Sequence, residues 1–519
     1  MPTVFQPFTT LLRGTAKDLL QFDTPLWLTR APGRLDVLGG PAESPGSASL
    51  QVSIARSVYC AVQNRQDQKI FMRCLLPASQ GGTRFWEGDV GSLYTKKGPP
   101  RSLAVLRQSF GAPDKAWMME IIAAMLGLRR TRQLNTPKHG FTMVIWSRLP
   151  EEPGYGQDAA FGTAVALAFK ASTGLARKRV DGIQVAKAVV QGAREVLERN
   201  VPIADALTSA LGRRNCAMYI EHGLEPAMQW IPLPQQCVIA AVDIAPVGSV
   251  SAADRCAAEA GAGMALVHLS AALKRDKKMP VPGWGKVNPS EFDEAWKGLI
   301  PVEEQGSEWL KHFKRGHEDI AATVDKDRSY RLRSLAEHHV HESERVRRFV
   351  SNLSEFSRSL REGFLGEAGR TLQRSTQSLE DKCGFHFVHC GPFLSAIKEA
   401  GREEGLFGAR PSECGRHGIV AVLLHQAARQ PLRELAEQHR APGKVAPTVI
   451  SDTEDGGALN CWWEGILEPK EGQVLTAARP PEAAPVAPAE EPRRGRIRPE
   501  PERRRDRGLP DYSGDYDLE

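Results

Sequence analysis

The sequence predicts an α+β protein large enough for two domains, and three observations carry that expectation. Strand-like and helix-like stretches alternate up to about residue 435, no regular strand–helix–strand period runs through them, and the composition changes abruptly after residue 475. The 519 residues include 41% hydrophobic and 25% charged side chains, ordinary for a globular protein that buries a substantial core. Leu11, Leu12, Leu19 and Leu20 suggest a short amphipathic helix in a lead-in segment, 1–23. Strand patterns fall on 27–29, 58–62, 142–145, 218–220 and 238–242. Helical periodicity falls on 116–128, 162–172, 185–198, 256–273, 334–365 and 393–404. Changes of pattern divide the rest into 24–235, 236–440, a docking segment at 441–475 built around Cys461-Trp462-Trp463, and a tail at 476–519.

The net charge is only +6, and eight arginines against three acids between 493 and 507 nearly account for it. The body is therefore close to neutral, and the basic tail has no interleaved aromatics, so no nucleic-acid partner is expected. Rich in Pro, Ala, Glu and Arg, the tail buries too little apolar surface to order itself; it reads as a solvated segment or as an arm for a weak partner. Nine scattered cysteines without paired spacing fit thiols in a reducing compartment. Neither a secretory leader nor an apolar run of spanning length is evident, so a cytoplasmic protein without a membrane partner is expected. Cys383, His386, His389 and Cys390 have the residue types of a zinc site. Adjacent ligands at 389 and 390 point apart on a helix or a strand, however, and no second cysteine-rich half lies nearby.

Three stretches carry candidate chemistry. In Leu28-Thr29-Arg30-Ala31-Pro32-Gly33-Arg34-Leu35-Asp36-Val37-Leu38-Gly39-Gly40, a strand runs into a Pro-Gly turn presenting Arg34, and a second strand ends in paired glycines. Taken alone, that is also what a tight connection with a surface arginine looks like. Pro153-Gly154-Tyr155-Gly156-Gln157-Asp158-Ala159-Ala160 then feeds a helix, and free N–H groups at a helix start favour an anion. Lastly, Glu195 on a helix is followed by a Pro-bounded turn and Asp205. Two such acids suit phosphoryl transfer, though an exposed helix face with a capping aspartate gives the same pattern.

Together these stretches resemble the GHMP kinase superfamily, most of all its galactokinase and L-arabinokinase branch. Ala31-Pro32-Gly33-Arg34 resembles the A-P-G-R motif, and the run through Gly39-Gly40, Gly46-Ser47 and Leu50-Gln51 is similar to the arabinokinase form of it. The 154–160 loop aligns with the superfamily's phosphate loop, whose three serines become Gly156, Gln157 and Asp158. The stretch from Asp205 to Glu221 aligns without a gap, as does Val242 to Arg255, where the family's tyrosine becomes Arg255. The third motif, a glycine-rich loop, falls on 407–418 and keeps only Gly415 and Gly418.

The resemblance implies a two-domain α+β GHMP kinase fold, with an N-terminal ribosomal-protein-S5-like domain, a C-terminal ferredoxin-like domain and a site between them. It implies Asp205 and Arg34 as the catalytic pair, and Gly154, Tyr155, Gly156, Gln157, Asp158 and Ala159 against ATP. Glu195 and Asp158 would hold Mg²⁺, and Asp36, Gly39, Gly40 and Glu43 would face the sugar. Galactokinases carry a Glu-His pair that reaches the galactose hydroxymethyl group where this chain has Gly39-Gly40-Pro41, so a pentose of L-arabinose type is expected over D-galactose. The altered phosphate loop and third motif leave an alternative open: a GHMP-fold protein without efficient ATP use, acting as a sugar sensor or scaffold.

Overall fold

Two sheets organise the chain, and their strands follow from where both faces are apolar. In the computed structural model the described residues are 1–40, 46–75, 82–134, 139–172, 180–223, 225–460 and 462–468. Glu43, Pro41, Cys461 and the tail expected at 476–519 lie outside them. The first sheet contains β1 (Leu26–Leu38), β2 (Ala48–Asn64), β3 (Lys69–Leu75), β4 (Arg84–Asp89), β5 (Phe141–Ser147), β6 (Cys216–Glu221) and β7 (Ala227–Pro232). The second contains β8 (Cys237–Asp243), and a short ribbon pairs β9 (Glu304–Gln305) with β10 (Ser329–Tyr330). β11 (Leu406–Pro411), β12 (Ile419–His425) and β13 (Thr448–Ile450) complete the second sheet, and β14 (Trp462–Gly465) returns to the first.

The first sheet has the order β14-β1-β2-β5-β3-β4, in which only β3 and β5 run parallel. β2 is long enough to serve two neighbours: residues 48–52 pair with β6, and 58–64 pair with β5. The second sheet has the order β11-β12-β8-β13, antiparallel throughout. The expected junction at 235/236 falls in the turn between β7 and β8, where the chain leaves one sheet for the other.

β12 shows why these strands read as unbroken apolar runs. Ile419, Ala421 and Leu423 face the core that also holds β1, β2 and the helix Gln157–Ser172. Val420, Val422 and Leu424 face an outer layer with Phe385, Phe393 and Leu432, so the period of two persists with both faces buried. The helices Gln157–Ser172 and Ile203–Leu211 pack on β1, and Leu332–Ser359 packs on Gly363–Ser378, which lies against β11.

The long helix expected over 334–365 is two helices. Leu360 adopts φ 55° and ends the first, and the second begins at Gly363. Phe356, Leu360 and Phe364 keep the four-residue spacing across the break, which is why the pattern ran on, yet Leu360 is left 61% exposed. The expectation of no run long and apolar enough to span a membrane also fails by length and composition, at Ala252–Arg275. The apolar window of that helix is 67% buried inside the protein, where Met264, Leu269 and Leu273 meet Trp284 and Trp309, as in a core helix.

The N-terminal helix Gln6–Thr15 and β14 close the first sheet's edge. Trp463 packs with Phe5, Phe8, Leu12 and Tyr59, while β14 pairs with 26–29 of β1. Trp463→Ala should therefore cost about 3–5 kcal/mol, measured as a shift in the urea midpoint; a loss under about 1 kcal/mol would mean the strand adds little to the fold.

Candidate functional site

β1 brings Arg34 to the centre of the molecule by a distortion that the sequence did not disclose. The expected strand–turn–strand is one continuous strand, and its register against β2 slips between Pro32 and Arg34. The slip accommodates a proline that has no N–H to give. It also lets the 154–160 loop press against the strand: a Cβ on Gly33 would lie 2.6 Å from the Tyr155 carbonyl oxygen, which accepts the Arg34 N–H at 2.9 Å. Gly156, at φ 70°, passes directly over the Arg34 side chain.

Arg34 is 3% exposed, and three other segments meet on its guanidinium. Nε donates to Asp205 Oδ1 at 2.6 Å and Nη2 to Oδ2 at 2.5 Å, a bidentate pair. Nη1 donates to the Gly154 carbonyl at 2.9 Å, and Nη2 also donates to Glu413. Burial alone would lower the Arg34 pKa; the charges of Asp205 and Glu413 outweigh it, so the group is raised well above its ordinary value and stays charged. Asp205, in the first turn of the helix Ile203–Leu211, also receives Gln51 Nε2 at 2.9 Å, and Thr208 donates to the Gln51 oxygen at 2.8 Å.

Glu413 belongs to the stretch expected to be the third motif. Between β11 and β12, Glu413 and Cys414 both take left-handed backbone, φ 48° and 55°. The Glu413 carboxylate lies between Arg34 and Arg255, with Arg255 Nη1 3.5 Å away. Burial opposes its charge, but Arg34, Arg255 and His417 hold it well below the usual carboxylate range. Its own N–H donates to Asp36 Oδ2 at 3.0 Å, and Asp36 in turn faces Arg410 at 3.4 Å. Arg410 is fully buried and donates to Ser375, which donates to Glu342; that carboxylate also accepts the Gly39 N–H at 3.2 Å.

Arg34, Asp36, Gly40, Asp205, Arg255 and Glu413 contribute to the lining of one cavity of about 790 Å³. At the neighbouring loop, Gln157 opens the helix Gln157–Ser172, and its side-chain oxygen accepts the Gly154 and Tyr155 N–H groups at 3.2 and 3.1 Å. Two backbone donors thus converge on one oxygen, supplied here by the chain itself. A second cavity of about 400 Å³, lined in part by Trp117, Leu149, Pro150 and Phe161, opens beside Gln157 and Asp158. Tyr155 and Ala159 are buried.

The two proposed metal ligands each face an arginine. Glu195 pairs with Arg130 at 3.0 Å and accepts from Gln191. The helix Gly182–Gly192 continues there as a π turn over 193–197, which shifts the phase counted at 3.6 residues per turn. Asp158 pairs with Arg199 at 3.2 Å. Among the described residues no group of three or more His, Cys, Asp or Glu is placed to hold a metal ion. Sequence reasoning missed Glu413, Gln51 and Arg410 as parts of the site, although Gln51 lay in the run matched to the first motif and Arg410 and Glu413 in the stretch aligned with the third.

Two sheets joined through this buried arginine centre constitute the α+β fold of the GHMP kinase superfamily. The chain superposes on the crystal structure of Lactococcus lactis galactokinase complexed with galactose with a TM-score of 0.64, at 15% identity, over 87% of this chain and 99% of that one. It is 21% identical to L-arabinokinase of Arabidopsis thaliana across 86% of its own length and 47% of the relative's. The chain therefore spans about half the length of the curated relative it matches. No family model matches it.

His222 borders the cavity and shares a 2.8 Å hydrogen bond with Ser49. Burial pushes its pKa down from 6.5 to about 4. A depressed histidine contributes stability above its unfolded pKa and loses it as pH falls through the folded one. Stability should thus drop between pH 6.5 and 4 by about 1 kcal/mol per pH unit for this residue. His338 and His339 are likewise lowered, chiefly by burial, so the overall slope is steeper. Melting temperatures against pH check this, and His222→Gln should flatten part of the slope; an unchanged slope would mean His222 stays protonated.

Proposed function

We propose that the chain is an ATP-dependent sugar kinase of the galactokinase and L-arabinokinase type, phosphorylating an anomeric hydroxyl to give a sugar 1-phosphate. The observation that carries this reading is the bidentate Arg34–Asp205 pair on the wall of a 790 Å³ cavity. An acid and an arginine at one point supply the two needs of the transfer: an acceptor for the hydroxyl proton and a counter-charge for the phosphoryl oxygens.

ATP would supply the transferable phosphoryl group. The Gly154 and Tyr155 N–H groups have the donor set for one of its oxygens, since they already converge on the Gln157 oxygen. Gln157 is half-buried at a helix start, so rotation of its side chain frees those donors. Leu149, Pro150, Trp117 and Phe161 offer an apolar wall to a nucleobase. Glu195 and Asp158, expected to hold Mg²⁺, would have to exchange exposed ion pairs with Arg130 and Arg199 to do so, and no step is assigned to a metal.

The sugar is read as a pentose of arabinose type. Gly39 and Gly40 present no side-chain donor, so a sixth-carbon hydroxyl buried there without a partner would cost about 1–3 kcal/mol. A second reading, a sugar-binding protein without efficient phosphoryl transfer, is favoured by Gln157 and Glu413 filling donor positions that a triphosphate would use.

Coupled phosphorylation assays with L-arabinose and D-galactose separate these. Turnover should favour the pentose and fall about 10²–10⁴-fold in Asp205→Asn. A higher kcat/KM for galactose would overturn the pentose assignment, and activity that survives Asp205→Asn would overturn the base. Sugar-induced stabilisation without turnover would select the second reading.

A further inference from the structure

We infer that Arg34 and Arg255 form a two-arginine clamp for a phosphoryl oxyanion, and that Glu413 is its built-in occupant, which an incoming anion must displace. The inference deepens the kinase reading, since it names how the transferred group would be held. It rests on the placement of one carboxylate. Oε1 of Glu413 takes the Arg34 Nη2 hydrogen, and Oε2 lies 3.5 Å from Arg255 Nη1. Two guanidinium groups on separate elements, β1 and the helix Ala252–Arg275, thus face a single anionic group on the wall of the large cavity.

Arg255 is aimed there by construction. Glu259, one turn along the same helix, holds its Nε at 3.1 Å, and its side chain is 13% exposed. The aligned family sequence has tyrosine at this point, so the second guanidinium is a feature of this chain. Two forked cations around one acceptor suit the several oxygens of a phosphoryl group, which a lone carboxylate only partly fills. Glu413 reaches them from a left-handed backbone that a residue with a Cβ adopts at a cost, while Asp36 holds its N–H. The link itself is held by its backbone contacts, so an incoming anion that takes over both arginines displaces the Glu413 side chain alone.

The test reads anion binding rather than turnover. Tripolyphosphate is titrated by calorimetry into the full chain, into Glu413→Gln, into Glu413→Gly and into each combined with Arg255→Tyr. Galacturonate, a sugar carboxylate, is the parallel arm. Removing the carboxylate should tighten tripolyphosphate by roughly tenfold or more, as loss of a contact-distance like charge implies in a partly solvated cleft. Arg255→Tyr should cancel that gain. Glu413→Gly suits the backbone at φ 48° and serves if the glutamine variant folds poorly.

Unchanged tripolyphosphate affinity in both Glu413 variants would overturn the clamp, as would a gain that survives Arg255→Tyr. Tightening of galacturonate alone would overturn the phosphoryl assignment. Arg255-dependent tightening in a chain that phosphorylates no sugar would leave the clamp standing and overturn the kinase reading instead.

Discussion

The burial of one guanidinium, that of Arg34, constrains everything around it. A charged group at 3% exposure is tolerated only with close partners of opposite charge, and removing one from such a pair costs several kcal/mol. The partners come from places far apart in sequence: Gly154 in the loop before a helix, Asp205 in the first turn of another, and Glu413 between β11 and β12. Arg34 therefore fixes how the loop, the helix and the second sheet sit on β1. Arg410 repeats the arrangement one layer away, fully buried against Asp36, Ser375 and Glu342. Asp36 links the two by accepting the Glu413 N–H, so the polar spine is continuous across both sheets. A satisfied buried network of this kind admits one register, where an apolar interface would admit several.

The strain at Glu413 and Cys414 follows from the same constraint. Each left-handed residue with a Cβ costs about 1–2 kcal/mol. The conformation persists because the link is pinned at both ends, by β11 pairing with β12 and by the Ser249 and Val250 N–H groups bonding the Gly415 carbonyl. The side chain of Glu413 then has little choice but to enter the cleft, where two guanidinium groups stabilise its charge.

Much of this was legible in the sequence where the chemistry is local. Pro32-Gly33-Arg34, the 154–160 loop and the carboxylate at 205 are contiguous signals whose backbone dictates where they point. The fold class was legible for a similar reason, since runs such as Val238–Val242 have few other uses than a strand buried on both faces. What stayed hidden depends on phase or on distance. Glu195 is turned toward Arg130 by a π turn that no count at 3.6 residues per turn anticipates. Leu360 kept the spacing of a helix while breaking it. Glu413 meets Arg34 across 379 positions of sequence, in a stretch whose departures from the glycine-rich motif looked like loss alone.

Gln157 and Glu413 both fill donor positions in the cleft, but they differ in what can replace them. The Gln157 oxygen is neutral and shares two backbone N–H groups, so another acceptor exchanges with it at little net change, each such bond being worth about 1 kcal/mol. Glu413 carries the charge that keeps Arg34 and Arg255 from facing each other unscreened. A neutral polyol cannot take its place, because removing the carboxylate would leave two buried guanidinium groups sharing Asp205 and Glu259 alone. Sugar hydroxyls can instead donate to Asp205 and Glu413 as they stand, since ionised carboxylates only accept. On the proposed reading, the cleft takes a neutral, hydroxyl-rich ligand in the state observed and an anion only by exchanging one negative charge for another.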